Sequence, residues 1–162
     1  MEEGIHSWKN KDETVDFVEN NNEKYWLLNE CSRTDAEVLL YGLPNGTFLI
    51  RRRRAGHYAL SIVCNSINHC IIYETERGYG FAEPYNIYDT LLSLVLHYSH
   101  NSLEEHNDSL TTTLKYPILC TLILQQTQLQ QQQPGQTLQQ QQVIQRRQHL
   151  LSLYQQQQTM QQ

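Results

Sequence analysis

In Gly46-Thr47-Phe48-Leu49-Ile50-Arg51 a glycine turn opens a short apolar run and an arginine closes it. The run is short enough to be a strand covered on both faces. Period-two alternation sets Phe48 and Ile50 on one face and Leu49 with Arg51 on the other, drawing the arginine into a layer that should be apolar. That is costly unless an anion meets it. A guanidinium stays charged and presents a planar fork of donors, which suits a phosphate or carboxylate at the base of a pocket. The competing reading makes Arg51 the start of an exposed basic loop, Arg51 to Arg54, or a partner in a structural ion pair.

On the N-terminal side of this run, Ser32-Arg33-Thr34-Asp35 carries a helix-start pattern. Ala36, Leu39 and Leu40 follow at helical spacing before Gly42 stops the helix. Arg33 falls in the first turn, where the helix dipole disfavours a cation, so a nearby anion would account for it; a plain surface arginine is the alternative. On the C-terminal side, Arg52 to Gly56 reads as a tight basic turn and His57 to Cys64 as a second strand. Asn65-Ser66 reads as a hairpin turn, and Ile67 to Glu74 as a third strand with His69 and Cys70 on opposite faces. Gly78 to Tyr85 is a glycine-rich, aromatic connection whose rings must lie against something. A second, well-packed helix is expected from about Tyr88 to His100, and a last short strand at Leu110 to Leu114.

The ends differ in composition. Residues 1–25 form a polar leader unable to pack by itself, and Tyr25-Trp26-Leu27-Leu28 opens the ordered part. From Gln125 onward about half the residues are glutamine, which reads as disordered or transiently helical, with Leu138 to Tyr154 a candidate self-associating helix. Ile118 to Leu124 is an apolar patch too short for a membrane span. The 162 residues carry a net charge of -5, so the four arginines are a local feature of an acidic chain and nucleic acid is a poor main partner. The acidic start Met1-Glu2-Glu3-Gly4 is unlike a secretory signal. Cys31, Cys64, Cys70 and Cys120 lack metal-site or C-x-x-C spacing and read as free thiols in a reducing, cytoplasmic setting.

Catalytic patterns are missing from the sequence. His69 adjoins Cys70, but strand neighbours point to opposite faces and cannot form a nucleophile-base pair. The chain has no glycine-rich cradle leading into lysine, no G-x-S-x-G and no H-E-x-x-H. His97, His100 and His106 make a weak metal set without a matching carboxylate or cysteine, so no metal and no cofactor are assigned.

Helix, antiparallel sheet and second helix, with Arg51 inside the sheet layer and Arg33 at a helix start, place two cations where one anion could meet both. This order resembles the Src-homology-2 (SH2) family, whose phosphotyrosine-binding arginine lies in an F-L-V-R strand motif, here Phe48-Leu49-Ile50-Arg51. Within the family the chain resembles the C-terminal SH2 domain of the class IA phosphoinositide 3-kinase regulatory subunit. The resemblance is carried by Gly42, Asn45 to Leu49, His69-Cys70, Gly78 to Asn86, Val95 to Tyr98, Ser102-Leu103, His106 to Leu110 and Tyr116-Pro117.

The resemblance implies an α+β fold, a central antiparallel sheet flanked by two helices. It implies that Arg51 grips the phosphate bidentately, that Arg33 adds a contact over the ring, and that His69 lines the wall; Arg53 of the basic turn is a further phosphotyrosine-binding candidate outside the family's pattern. It also implies a peptide-specificity slot of Cys70, Phe81, Tyr98 and Leu103, open enough to select methionine three residues after the phosphotyrosine. Three departures stand out. Arg52, Arg53 and Arg54 replace the acid and hydroxyl residues that usually follow the family's arginine. The regulatory subunit's N-terminal SH2 domain and coiled coil do not occur in this sequence, and a glutamine-rich tail does. The chain is therefore expected to be a fragment or a free-standing SH2 protein.

The resulting organisation is a leader at 1–25, an SH2 domain at 26–119 and a low-complexity tail at 120–162. The expected function is a non-enzymatic adaptor module for pTyr-x-x-Met sites on receptors or scaffolds, linked to phosphoinositide 3-kinase regulation and receptor tyrosine kinase signalling. One alternative is a degenerate SH2 domain acting as a phosphate-independent contact surface, for example toward a lipid-kinase catalytic subunit, or as a competitor lacking the coiled coil. Anionic lipid or nucleic-acid binding through Arg51 to Arg54 is a further alternative.

Overall fold

A computed structural model describes residues 23–82, 87–122 and 137–160. Strand β1 (Leu27–Leu28) is followed by helix α1 (Arg33–Leu40), strands β2 (Thr47–Arg52), β3 (Tyr58–Cys64), β4 (Ser66–Thr75) and β5 (Gly78–Gly80), helix α2 (Leu91–His100), strand β6 (Tyr116–Pro117) and helix α3 (Leu138–Met160). Most of the leader, the connection at 83–86 and the stretch 123–136, which includes part of the expected apolar patch and Pro134-Gly135, lie outside the described residues.

Antiparallel pairing joins β2 to β3, β3 to β4 and β4 to β5, while β1 and β6 both run parallel to β2. Ten-residue β4 outruns β3, and its last residues pair with β5: Tyr73 with Gly80 and Thr75 with Gly78. The connection expected to be irregular thus begins as a strand. Leu110 to Leu114 is not a strand; it is irregular chain that buries Leu110 and Leu114, and Tyr116–Pro117 supplies the last ladder instead. Helix α2 starts at Leu91 because the Thr90 hydroxyl accepts from the Ser93 amide, while Tyr88 is held back in a bridge to Tyr79.

Strand alternation divides the interior into two clusters. Phe48, Ile50, Leu60, Ile62 and Ile72 pack with Trp26 and with Leu91, Leu94, Val95 and Tyr98 around α2. On the other face, Leu49 and Val63 pack with Ala36, Leu39 and Leu40 of α1. Each fully buried aliphatic side chain contributes about 1.5–3 kcal/mol, so both helices are held to the sheet by apolar burial. Helix α1 is delimited locally: the Ser32 hydroxyl accepts from the Asp35 amide at 3.0 Å, and Gly42 turns the chain at φ +71°.

The tail departs from the disordered expectation over the residues described there. Helix α3 runs 23 residues, and its Leu150, Leu151 and Tyr154 enter the α1-side cluster. The helix docks on its own chain instead of presenting those residues for self-association. Cys120 and Leu122 are also buried, so apolar packing continues past the boundary expected at residue 119.

Candidate functional site

The register of β2, β3 and β4 assembles the site. Arg51 pairs with Ala59, Leu49 with Ser61, and Ser61 with His69, which places Arg51, Ser61 and His69 on the α1 face. Arg51 is 8% exposed. Its Nε donates to Ser61 Oγ at 3.2 Å, Ser61 Oγ lies 2.8 Å from His69 Nδ1, and His69 Nε2 lies 3.1 Å from Glu37 Oε1 on α1. Arg33, one helical turn before Glu37, reaches the same carboxylate oxygen at 3.5 Å with its side chain 70% exposed. A neutral His69 with its proton on Nε2 satisfies the whole row: Arg51 donates to Ser61, Ser61 to His69, and His69 to Glu37.

The electrostatics of this row favour an anion. Among the described residues no carboxylate lies within ion-pair distance of Arg51. Burial is the main cause that lowers the Arg51 pKa from its ordinary value, and the charges of Arg33 and Arg53 act in the same direction, against opposing effects of Cys31 and Glu37. Arg53 is half-buried at the start of the basic turn, where its amide donates to the His57 carbonyl at 3.1 Å and its carbonyl accepts from Gly56. Arg52 points to the other face, donating to the Tyr58 hydroxyl at 3.2 Å with its guanidinium 5.5 Å from that ring's centre. Of the run Arg51 to Arg54, Arg51 and Arg53 are therefore the two whose charges meet.

His69, whose side chain is only 8% exposed, has its pKa lowered chiefly by burial and further by Arg33 and Arg51, with its Glu37 bond opposing. His106 is lowered by burial as well. A folded pKa below the unfolded value means that on acidification the unfolded chain takes up the proton first, so stability falls as pH drops below about 6.5. We expect the urea midpoint to decline through that range and His69→Gln to flatten the decline in part, His106 retaining its share. A midpoint as steep in the variant as in the wild type would contradict this.

Of the four residues expected to form the specificity slot, three are buried and one is partly buried. Cys70, opposite Leu60 on the α2 face, is partly buried. Phe81, Tyr98 and Leu103 are interior: the Phe81 and Tyr98 rings meet edge-on at 5.3 Å, and Phe81 stacks on His106 at 4.4 Å. A cavity of about 560 Å³ opens beside β5, lined by Tyr73, Thr75, Gly78, Gly80, Ala82 and Ile87 among others.

Two network residues were not foreseen in the sequence. Ser61 is the one serine in the fully buried β3, and Glu37 stands four residues after Arg33; those were the available signals. The candidate metal histidines go separate ways: His97 bonds Glu105 at 3.0 Å, His100 lies 3.0 Å from the Leu96 carbonyl, and His106 stacks on Phe81. Among the described residues no metal-binding group of three such side chains occurs, and no helix is long and apolar enough to cross a membrane. The four cysteines are unpaired thiols; burial pushes Cys31 up to about 11 and Cys120 up to about 12, away from thiolate chemistry.

Comparison with known proteins agrees with this geometry. Residues 26–98 match the SH2 domain family model. Protein vav-1 of Caenorhabditis elegans is 36% identical over 98 residues, covering 59% of this chain and 10% of the relative. Guanine nucleotide exchange factor VAV3 of Homo sapiens is 34% identical over 94 residues, covering 57% and 11%. The chain thus spans only about a tenth of the length of these relatives. They are Vav proteins, not the phosphoinositide 3-kinase regulatory subunit to which the sequence motifs pointed. The solution structure of the VAV1 SH2 domain complexed with a tyrosine-phosphorylated peptide from SLP76 superposes with a TM-score of 0.54 at 33% identity, over 58% of this chain and 70% of that one. The human VAV1 SH2 domain alone gives 0.54 at 29% identity, over 70% and 75%. With the helix-flanked sheet, the inward arginine of β2 and a match over most of a solved SH2 domain, the chain belongs to the SH2 domain family.

Proposed function

We propose that the chain is a phosphotyrosine-peptide-binding module in which Arg51 receives the phosphate, Arg33 and Arg53 add charge, and His69 lines the wall. The observation that carries this reading is the near-complete burial of Arg51 without a carboxylate partner among the described residues, its remaining donors free of the Ser61 bond. A phosphotyrosine brings about -1.5 to -2 charges at pH 7, which would relieve the mutual repulsion of the three guanidiniums. The VAV1 relative, solved with a phosphorylated peptide, supports the same assignment.

The partners would be tyrosine-phosphorylated receptors or scaffolds in the cytoplasm, and the peptide preference pTyr-x-x-Met, with a link to phosphoinositide 3-kinase signalling. Cys70 supports that preference as a small, partly buried residue on the face opposite the phosphate site. Calorimetric titration with a pTyr-x-x-Met peptide and its unphosphorylated twin, at low and moderate salt, tests the function. Binding confined to the phosphorylated peptide and surviving moderate salt is the expected result. Equal binding of both, lost with salt, would reject it in favour of a charge-driven surface built on the arginine turn.

Peptide arrays test the finer claim. Cys70→Tyr is expected to weaken the preference for methionine at the third position while phosphate dependence persists; an unchanged profile would remove Cys70 from that role.

A further inference from the structure

Ten of the 23 residues of helix α3 are glutamine, yet its buried side chains Arg147, Leu150, Leu151 and Tyr154 recur at helical spacing along one stripe. That stripe lies against α1, the helix that carries Arg33 and Glu37. Arg147, 9% exposed, donates from Nε to the Val38 carbonyl at 3.3 Å and from Nη2 to the Tyr41 carbonyl. These are C-terminal carbonyls of α1, which a helix leaves without partners of its own, and a cation there also meets the negative end of the helix dipole. At the other end the Tyr154 hydroxyl donates to the Glu30 carbonyl at 2.9 Å, two residues before the N-cap Ser32. Arg146 Nη2 lies 3.9 Å from Asp35 in the first turn. The glutamine-rich helix therefore grips α1 at both ends as well as along its apolar side.

We propose that α3 is a positioning element for the phosphate site, with Arg147 and Tyr154 as its positioning residues. Arg51, Ser61 and His69 belong to the sheet and keep their places without α3. Arg33 and Glu37 belong to α1, a helix of only eight residues, and their register with the sheet row depends on what fixes α1. The sheet holds α1 by apolar burial, and docking of α3 adds a second hold near both of its ends. Docking and phosphopeptide binding then strengthen one another by a common factor, since a coupling free energy between two sites is reciprocal. This inference rests on the phosphate-site reading above.

The test uses the full chain and a phosphotyrosine peptide. Arg147→Ala is expected to weaken peptide binding about fivefold or more, at unchanged stoichiometry, with partial recovery in Arg147→Lys, which keeps charge and donors. In an Arg33→Ala background the further loss from Arg147→Ala should shrink, because the group being positioned is gone; a purely structural role predicts additive losses. Tyr154→Phe removes one hydroxyl bond and keeps the ring, so it serves if Arg147→Ala does not fold. Hydrogen exchange on the unsubstituted protein needs no variant: amides of α3 are expected to exchange more slowly when peptide is added. Unchanged exchange in α3, affinity within twofold of wild type in Arg147→Ala and Tyr154→Phe, or fully additive losses would overturn the role of α3 while Arg51 dependence stood. An Arg51→Lys variant that bound like the wild type would overturn the phosphate-site reading and this inference with it.

Discussion

Replacing Arg51 by lysine is expected to cost about 2–5 kcal/mol of phosphopeptide affinity, roughly thirtyfold to several-thousandfold. Lysine keeps the positive charge, so a site that worked by charge alone would hardly notice the change. What it loses is the fork: Arg51 spends its Nε on Ser61 and keeps the far side of the guanidinium for two parallel bonds to phosphate oxygens. An ammonium group on a flexible stem cannot hold Ser61 in that geometry and present two aligned donors as well. Calorimetry with the phosphorylated peptide measures the loss, and urea denaturation alongside it separates binding from folding. Affinity within about threefold of the wild type would remove Arg51 from the pocket floor.

The second large effect concerns stability. Gly78 adopts φ +134°, and a methyl group added there would run into the Tyr88 carbonyl oxygen and come within 3.2 Å of Ile87 Cγ2. That carbonyl is already engaged by the Tyr79 amide at 2.7 Å, so it cannot retreat without breaking the bridge that joins β5 to the entry of α2. Backbone strain of about 1–3 kcal/mol and overpacking of about 1–3 kcal/mol add to a loss of roughly 2–6 kcal/mol for Gly78→Ala. Gly42→Ala is the matched control. Gly42 also has positive φ, +71°, but an added methyl there meets nothing within 4 Å, leaving only about 1–2 kcal/mol of left-handed strain. Chemical denaturation of both variants should separate them clearly; equal losses would show that strain, not the Tyr88 contact, makes Gly78 necessary.

Periodicity carried the sequence reading a long way where elements were regular. Phe48 to Arg51, His57 to Cys64 and Ile67 to Glu74 alternate over enough residues to reveal strands, and the face shared by Leu49 and Arg51 is the one that α1 covers. Short elements escaped it. Gly78-Tyr79-Gly80 has little strand propensity, and it pairs only because β4 extends beyond β3 and offers open backbone groups. Tyr116–Pro117 is two residues long and joins the sheet through the neighbouring β2 edge. In α3 a stripe of buried side chains sits in a glutamine background, so average composition concealed the periodicity that mattered.

The site divides along the same line. The charges of Arg33 and Arg51 act on one another and on His69. Ser61 and Glu37 complete the row, and neither residue type is rare enough to announce itself. Phe81, Tyr98 and Leu103 illustrate the opposite difficulty: rings and a leucine suit the wall of a slot or the middle of a core equally well, and the structure puts them in the core.

Local order along the chain was sufficient for strand, helix and cap, and for an arginine directed into an apolar layer, because alternation and helical spacing depend on near neighbours. The links from Arg147 to Val38 and Tyr41, from Tyr154 to Glu30, and from His69 to Glu37 join residues far apart in sequence. Such contacts follow from how finished elements stack. A shift of one residue in sheet register or one turn in helix docking would leave every local pattern intact and dissolve all of them.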